Sequence, residues 1–94
     1  MQTKESQTEI FKNEGFAHVY EWTDVPGFEY AKYVHMGCVA YYVLAGSLNV
    51  VFHDTVRELV AGDRFDVPVG ILHEATIGKE GATYLVAEET QGTH

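Results

Sequence analysis

Apolar and polar residues alternate along much of this chain with a period of two, and turn residues break the pattern every few positions. Phe28, Tyr30, Lys32 and Val34 fall on one side of an extended segment, and Glu29, Ala31, Tyr33 and His35 fall on the other. That alternation is what a half-buried β-strand requires. Residues 16–22 carry Phe, Val, Tyr and Trp, which suit a pleated surface. Residues 39–44 are almost continuously apolar and stop at Gly46-Ser47. Residues 48–52 and 56–60 read as a hairpin with His53-Asp54 at its tip. Residues 65–67, 73–77 and 82–87 read as three more strands, the last two separated by Gly78-Lys79-Glu80-Gly81. No segment keeps a 3.6-residue apolar period long enough to predict a helix. About eight or nine short strands with regular turns predict an all-β sandwich or barrel. Residues 1–8 are polar and are expected to be flexible or to pair along a sheet edge, leaving residues 9–94 as one barrel domain.

Composition narrows the functional classes. The 94 residues suffice for one small domain, and 46% hydrophobic content supports a packed core. The formal net charge is −8, with no Lys/Arg cluster. Phosphate-rich partners are therefore disfavoured, so neither nucleic acid nor an anionic membrane is expected as a partner. The longest nearly apolar run, residues 36–46, is far short of the about 20 residues a membrane-spanning helix needs. The first six residues are polar and mixed in charge, unlike a secretory leader. A single cysteine excludes an intramolecular disulfide and is compatible with a reducing compartment. A cytoplasmic location is the expectation.

The most informative stretch is residues 62–73. Pro68-Val69-Gly70 makes a stiff corner, because proline fixes φ and glycine supplies a positive φ. The corner aims His73, and imidazole is both the commonest metal ligand and the usual general base. The segment resembles the second signature of the cupin superfamily, Gly-x5-Pro-x-Gly-x2-His-x3-Asn. It matches at Gly62, Pro68, Gly70 and His73, and Ile77 stands where that signature has Asn. The first cupin signature, Gly-x5-His-x-His-x3-4-Glu-x6-Gly, anchors on Gly46 and Gly27. His35 falls on its second histidine, while Tyr33 and Val39 replace the first histidine and the glutamate.

The resemblance implies a single cupin-type β-barrel, a double-stranded β-helix or jelly roll. Cupins of this kind hold a first-row metal with three imidazoles and a carboxylate inside the barrel. Here the resemblance leaves His35 and His73 as metal ligands, expected within one coordination sphere. Tyr33, Val39 and Tyr41 become the lining of the pocket. An incomplete ligand set implies a divalent transition metal held weakly or not at all. The implied function is binding or transformation of a small polar or sugar-like molecule. A histidine base with a tyrosine acid, needing no metal, is a further chemical option, and a non-enzymatic small-molecule binding module is the alternative. Small cupins commonly dimerise, so a homodimer is expected, with residues 9–12 and 16–22 covering sheet edges. Glu74 is expected at the surface, as is the Arg64/Asp66 pair. Cys38 is expected to be a small buried thiol, His18 to be structural, and His53 to be exposed.

Overall fold

The computed structural model describes residues 1–33 and 37–89, with the backbone alone at Lys32 and Tyr33. The described residues form one helix, α1 (Lys4–Asn13), and six strands. These are β1 (His18–Asp24), β2 (Glu29–Tyr33), β3 (Val39–Phe52), β4 (Thr55–Val60), β5 (Arg64–Val67) and β6 (His73–Glu88). No helix among the described residues is long and apolar enough to cross a membrane.

The strand count is below the expected eight or nine because two predicted breaks are bends within long strands. β3 runs 14 residues through Gly46-Ser47, and β6 runs 16 residues through residues 78–81. They pair antiparallel from Val39↔Glu88 to Gly46↔Ala82, then from Leu48↔Ile77 to Phe52↔His73, with register shifts at Val43/Ala45 and Gly46/Leu48. A straight strand of 16 residues would run about 50 Å, whereas the molecule's longest extent is 31 Å. The two strands therefore fold over together at these glycines. Gly46 has φ +75°, and a Cβ there would overlap the Gly81 carbonyl.

Folding over creates two facing halves. One has the order β1, β6 (residues 82–88), β3 (residues 39–46), β5. The other has β2, β6 (residues 73–77), β3 (residues 48–52), β4. Between them lies one apolar core containing Val39, Tyr41, Val43, Leu48, Val50, Leu59, Ile77, Tyr84 and Val86, with both ends of each long strand represented. This is the all-β double-stranded arrangement that the turn pattern and motif spacing predict.

The helix was not expected, and its narrow buried stripe explains why. Its buried residues are Gln7 and Phe11, four apart, so the buried stripe is narrow and half polar. Capping chemistry carries the signal instead. Thr3 Oγ1 accepts from Ser6 N at 3.0 Å, Lys12 sits in the last turn, and Gly15 follows with φ +103°. Phe11 packs with Ala40, Tyr42, Leu85 and Ala87 on the outer face of the first half. Residues 4–8 belong to this helix, and residues 9–12 cover a sheet face rather than a strand edge. Arg64 on β5 ties the helix end down: it donates to both carboxylate oxygens of Glu14 at 2.7 Å, donates to Asp66, and lies 4.8 Å over the Phe11 ring. The guanidinium holds the Glu14 carboxyl below the usual range.

Candidate functional site

His73 opens β6 immediately after the Pro68-Val69-Gly70 corner, where Gly70 adopts φ +73°. Its backbone pairs with Tyr33 on one side and Phe52 on the other. The residue is 2% exposed. Its Nδ1 lies 3.2 Å from the Ile71 carbonyl oxygen. In the tautomer that donates from Nδ1 to that carbonyl, Nε2 carries the ring's lone pair. The corner thus fixes the placement of the imidazole, with Nδ1 turned to the Ile71 carbonyl. Beside it, between the β3–β4 turn and residues 70–72, opens a groove of about 370 Å³.

Val39 and Tyr41 enter from β3 on the facing half. Both are buried in the inner core, and the Tyr41 ring meets Tyr84 edge to face at 5.5 Å. Tyr42 points the other way, toward α1, where its hydroxyl accepts from Gln2 N at 2.8 Å. Tyr33 is described only through its backbone pairing with His73, and its side chain lies outside the described residues. His35 lies outside them too, so the expected approach of His35 to His73 rests on sequence spacing.

Two buried carboxylates that the sequence did not mark face the interior from the first half. Asp24, at the end of β1, accepts from Tyr84 Oη at 2.6 Å, from Tyr30 Oη at 2.9 Å and from Trp22 Nε1 at 3.0 Å. Because Tyr30 lies on β2, this network closes the seam between β1 and β2. Glu88, at the end of β6, is 2% exposed and accepts from Tyr20 Oη at 3.1 Å. Burial, followed by the hydrogen bond to Asp24, raises the pKa of Tyr84 and Tyr30. Burial and the neighbouring Glu88 raise that of Tyr20. From sequence, Glu88 is the start of a polar tail. Only its register, opposite Val39, shows that it faces inward.

The remaining candidates fall outside this interior. Glu74 is partly exposed on the outer face. His53 is exposed at the hairpin tip, with φ +49° beside Asp54 at +60°. Cys38 is exposed, not buried as expected. It precedes β3 and sits beside Glu89, whose carboxylate raises the thiol's pKa.

A metal requires a cluster of donors. Among the described residues, no three His, Cys, Asp or Glu side chains come together to form one. At the motif positions, His73 is a suitable donor and Val39 is not. The described set alone therefore does not make a complete cage.

No family model matches the sequence, and no curated protein matches it. Solved structures do. An uncharacterised protein with a double-stranded β-helix domain from Klebsiella pneumoniae is similar at 25% identity and TM-score 0.69, over 85% of this chain and 72% of that one. A cupin-2 domain protein from Shewanella frigidimarina is similar at 22% identity and TM-score 0.66, over 74% and 67%. Oxalate decarboxylase from Bacillus subtilis, described with Mn(II) centres, is similar at 24% identity and TM-score 0.67, over 74% of this chain and 20% of that one. The folded-over pair of long strands, the Pro-Gly corner before His73 and these neighbours agree that the chain is a small cupin-fold protein.

Proposed function

We propose that the barrel binds a small polar or sugar-like molecule at the mouth beside His73, where His35 and His73 act as the two imidazoles of a weak divalent-metal site. The observation that carries this reading is the His73 ring, which is buried and oriented through Nδ1 toward the Ile71 carbonyl. A backbone carbonyl holding one ring nitrogen is the usual support for an imidazole that ligates through the other. The groove beside His73 gives a ligand room, while Val39 and Tyr41 belong to the buried core of the facing half. One fold neighbour described with Mn(II) centres is in keeping with a metal at such a mouth. When bound, the metal would polarise a ligand oxygen. The chain's own contribution is to fix the imidazole and to exclude water on the Val39 side. The protein is proposed to work as a homodimer.

Calorimetric titration with Mn²⁺ and Zn²⁺ tests the reading. Wild-type protein should bind one metal per chain, and His73→Ala and His35→Ala should each weaken binding by about tenfold or more. Equal binding by all three proteins would refute it. If the wild type binds no metal but a sugar-like ligand still depends on His73, the metal-free binding module is the correct form.

A further inference from the structure

We infer that Glu88 is the carboxylate of this site: it enters the barrel mouth from β6, one strand over from Val39, and with His73 forms an imidazole–carboxylate donor pair for a divalent cation. The inference rests on reading His73 as a ligand. Three observations lead to it.

The first is register. Val39 and Glu88 are direct cross-strand partners. Directly opposed residues share a face, with Cβ atoms about 5 Å apart. Val39 lies in the inner core, so the Glu88 side chain starts on the same inner wall. A glutamate is long enough to reach the space that a carboxylate at position 39 would fill.

The second is how the long strand folds. β6 doubles back at residues 78–81, so its first residue, His73, and its last, Glu88, return to the same end of the barrel on facing halves. One strand thus delivers an imidazole from one wall and a carboxylate from the other.

The third is charge. A carboxylate taken out of water needs a compensating partner. Asp24 has its compensation in two phenol donors and an indole donor. Glu88 is buried more deeply, yet among the described residues its one hydrogen-bond donor is Tyr20, and none of their ion pairs includes it. A bound cation would supply what Asp24 obtains from its neighbours. The Tyr20 hydroxyl would then act on Glu88 as a positioning group, fixing the carboxylate's orientation. Nitrogen and carboxylate-oxygen donors together suit Mn²⁺ and Zn²⁺.

The test uses the full chain and Mn²⁺ alone, with binding followed by calorimetry and by the Mn²⁺ electron paramagnetic resonance spectrum. Glu88→Gln keeps the shape and removes the charge. It should weaken Mn²⁺ binding by about tenfold or more, and Val39→Glu added to it should restore binding, by returning a carboxylate to the neighbouring position. If Glu88→Gln binds as wild type does while His73→Ala is weakened, the role of Glu88 is overturned and the reading of His73 stands. If wild-type protein binds no Mn²⁺, both fail. Should Glu88→Gln not fold, carboxylate ¹³C spectra of the wild type under Mn²⁺ titration decide. Selective broadening of the Glu88 signal supports the inference, and an unaffected Glu88 signal overturns it.

Discussion

Asp24 accepts hydrogens from Tyr84, Tyr30 and Trp22, so its carboxylate serves the fold and its donors cannot be removed cheaply. Tyr84→Phe leaves a buried acceptor short of its closest donor. It should cost about 1–3 kcal/mol in urea denaturation. The same phenols set an alkaline limit. Their pKa values are raised in the folded protein, chiefly by burial and then, for Tyr84 and Tyr30, by the hydrogen bond to Asp24. The unfolded chain releases those protons near the ordinary tyrosine value of about 10. Stability is therefore fully present below that pH and falls as pH rises above it. Denaturation midpoints measured from pH 8 to 11.5 should show this fall, and Tyr84→Phe should make it shallower. A flat profile would show that the phenols ionise as readily folded as unfolded. At this scale the sequence was legible where chemistry follows spacing along the chain. The Pro-x-Gly corner and His73 were found that way, as was the apolar substitution at Val39. Asp24 and Glu88 escaped notice because their roles depend on which strand lies opposite, and a turn-adjacent Asp and a tail-adjacent Glu look like surface residues.

Glycines separate bends from turns in this fold. Gly46 and Gly70 both have positive φ, but their surroundings differ. A Cβ at Gly46 would meet the Gly81 carbonyl, where the two long strands cross from one half to the other, whereas a Cβ at Gly70 would meet nothing within 4 Å. Gly70→Ala should cost about 1 kcal/mol, the backbone strain alone, and Gly46→Ala should exceed it by about 2 kcal/mol or more. Similar losses for the two variants by thermal melting would contradict the crossing described here. The sequence marked both positions as punctuation. It could not tell a bend from an end, because hydrogen bonding continues through Gly46 into the second half, and that continuity is a property of the β3–β6 pair. The helix poses the converse problem. Its ends are written in Thr3 and Gly15, but its buried face holds only Gln7 and Phe11, too few to register as a period. Thr3→Ala should cost about 1 kcal/mol. Phe11→Ala, which empties a fully buried site against Ala40, Leu85 and Ala87, should cost about 3–5 kcal/mol.

Among the described residues, the fold leaves β1, β2, β4 and β5 each paired on one side only. Open edges invite pairing with another chain unless something covers them. The helix meets β1 through Lys4 and Glu21 and through Phe11 and Val19. It lies across the outer face of the first half, over Ala40, Tyr42, Leu85 and Ala87, and is held there by Lys4 to Glu21 at 3.0 Å and by Arg64 to Glu14. At the far end of β1, Trp22, Val25 and Phe28 remain exposed around the turn into β2. An open edge flanked by apolar side chains is what a second copy would bury, and this is where the homodimer is predicted to form. Light scattering at micromolar concentration should give twice the chain mass. Val25→Glu places a charge at the turn without touching the Asp24 network or the core, and should shift the equilibrium toward monomer while leaving the melting profile of dilute protein unchanged. A wild-type mass equal to one chain would reject the dimer. A dimer indifferent to Val25→Glu would move the contact to the opposite edge, at β4 or β5.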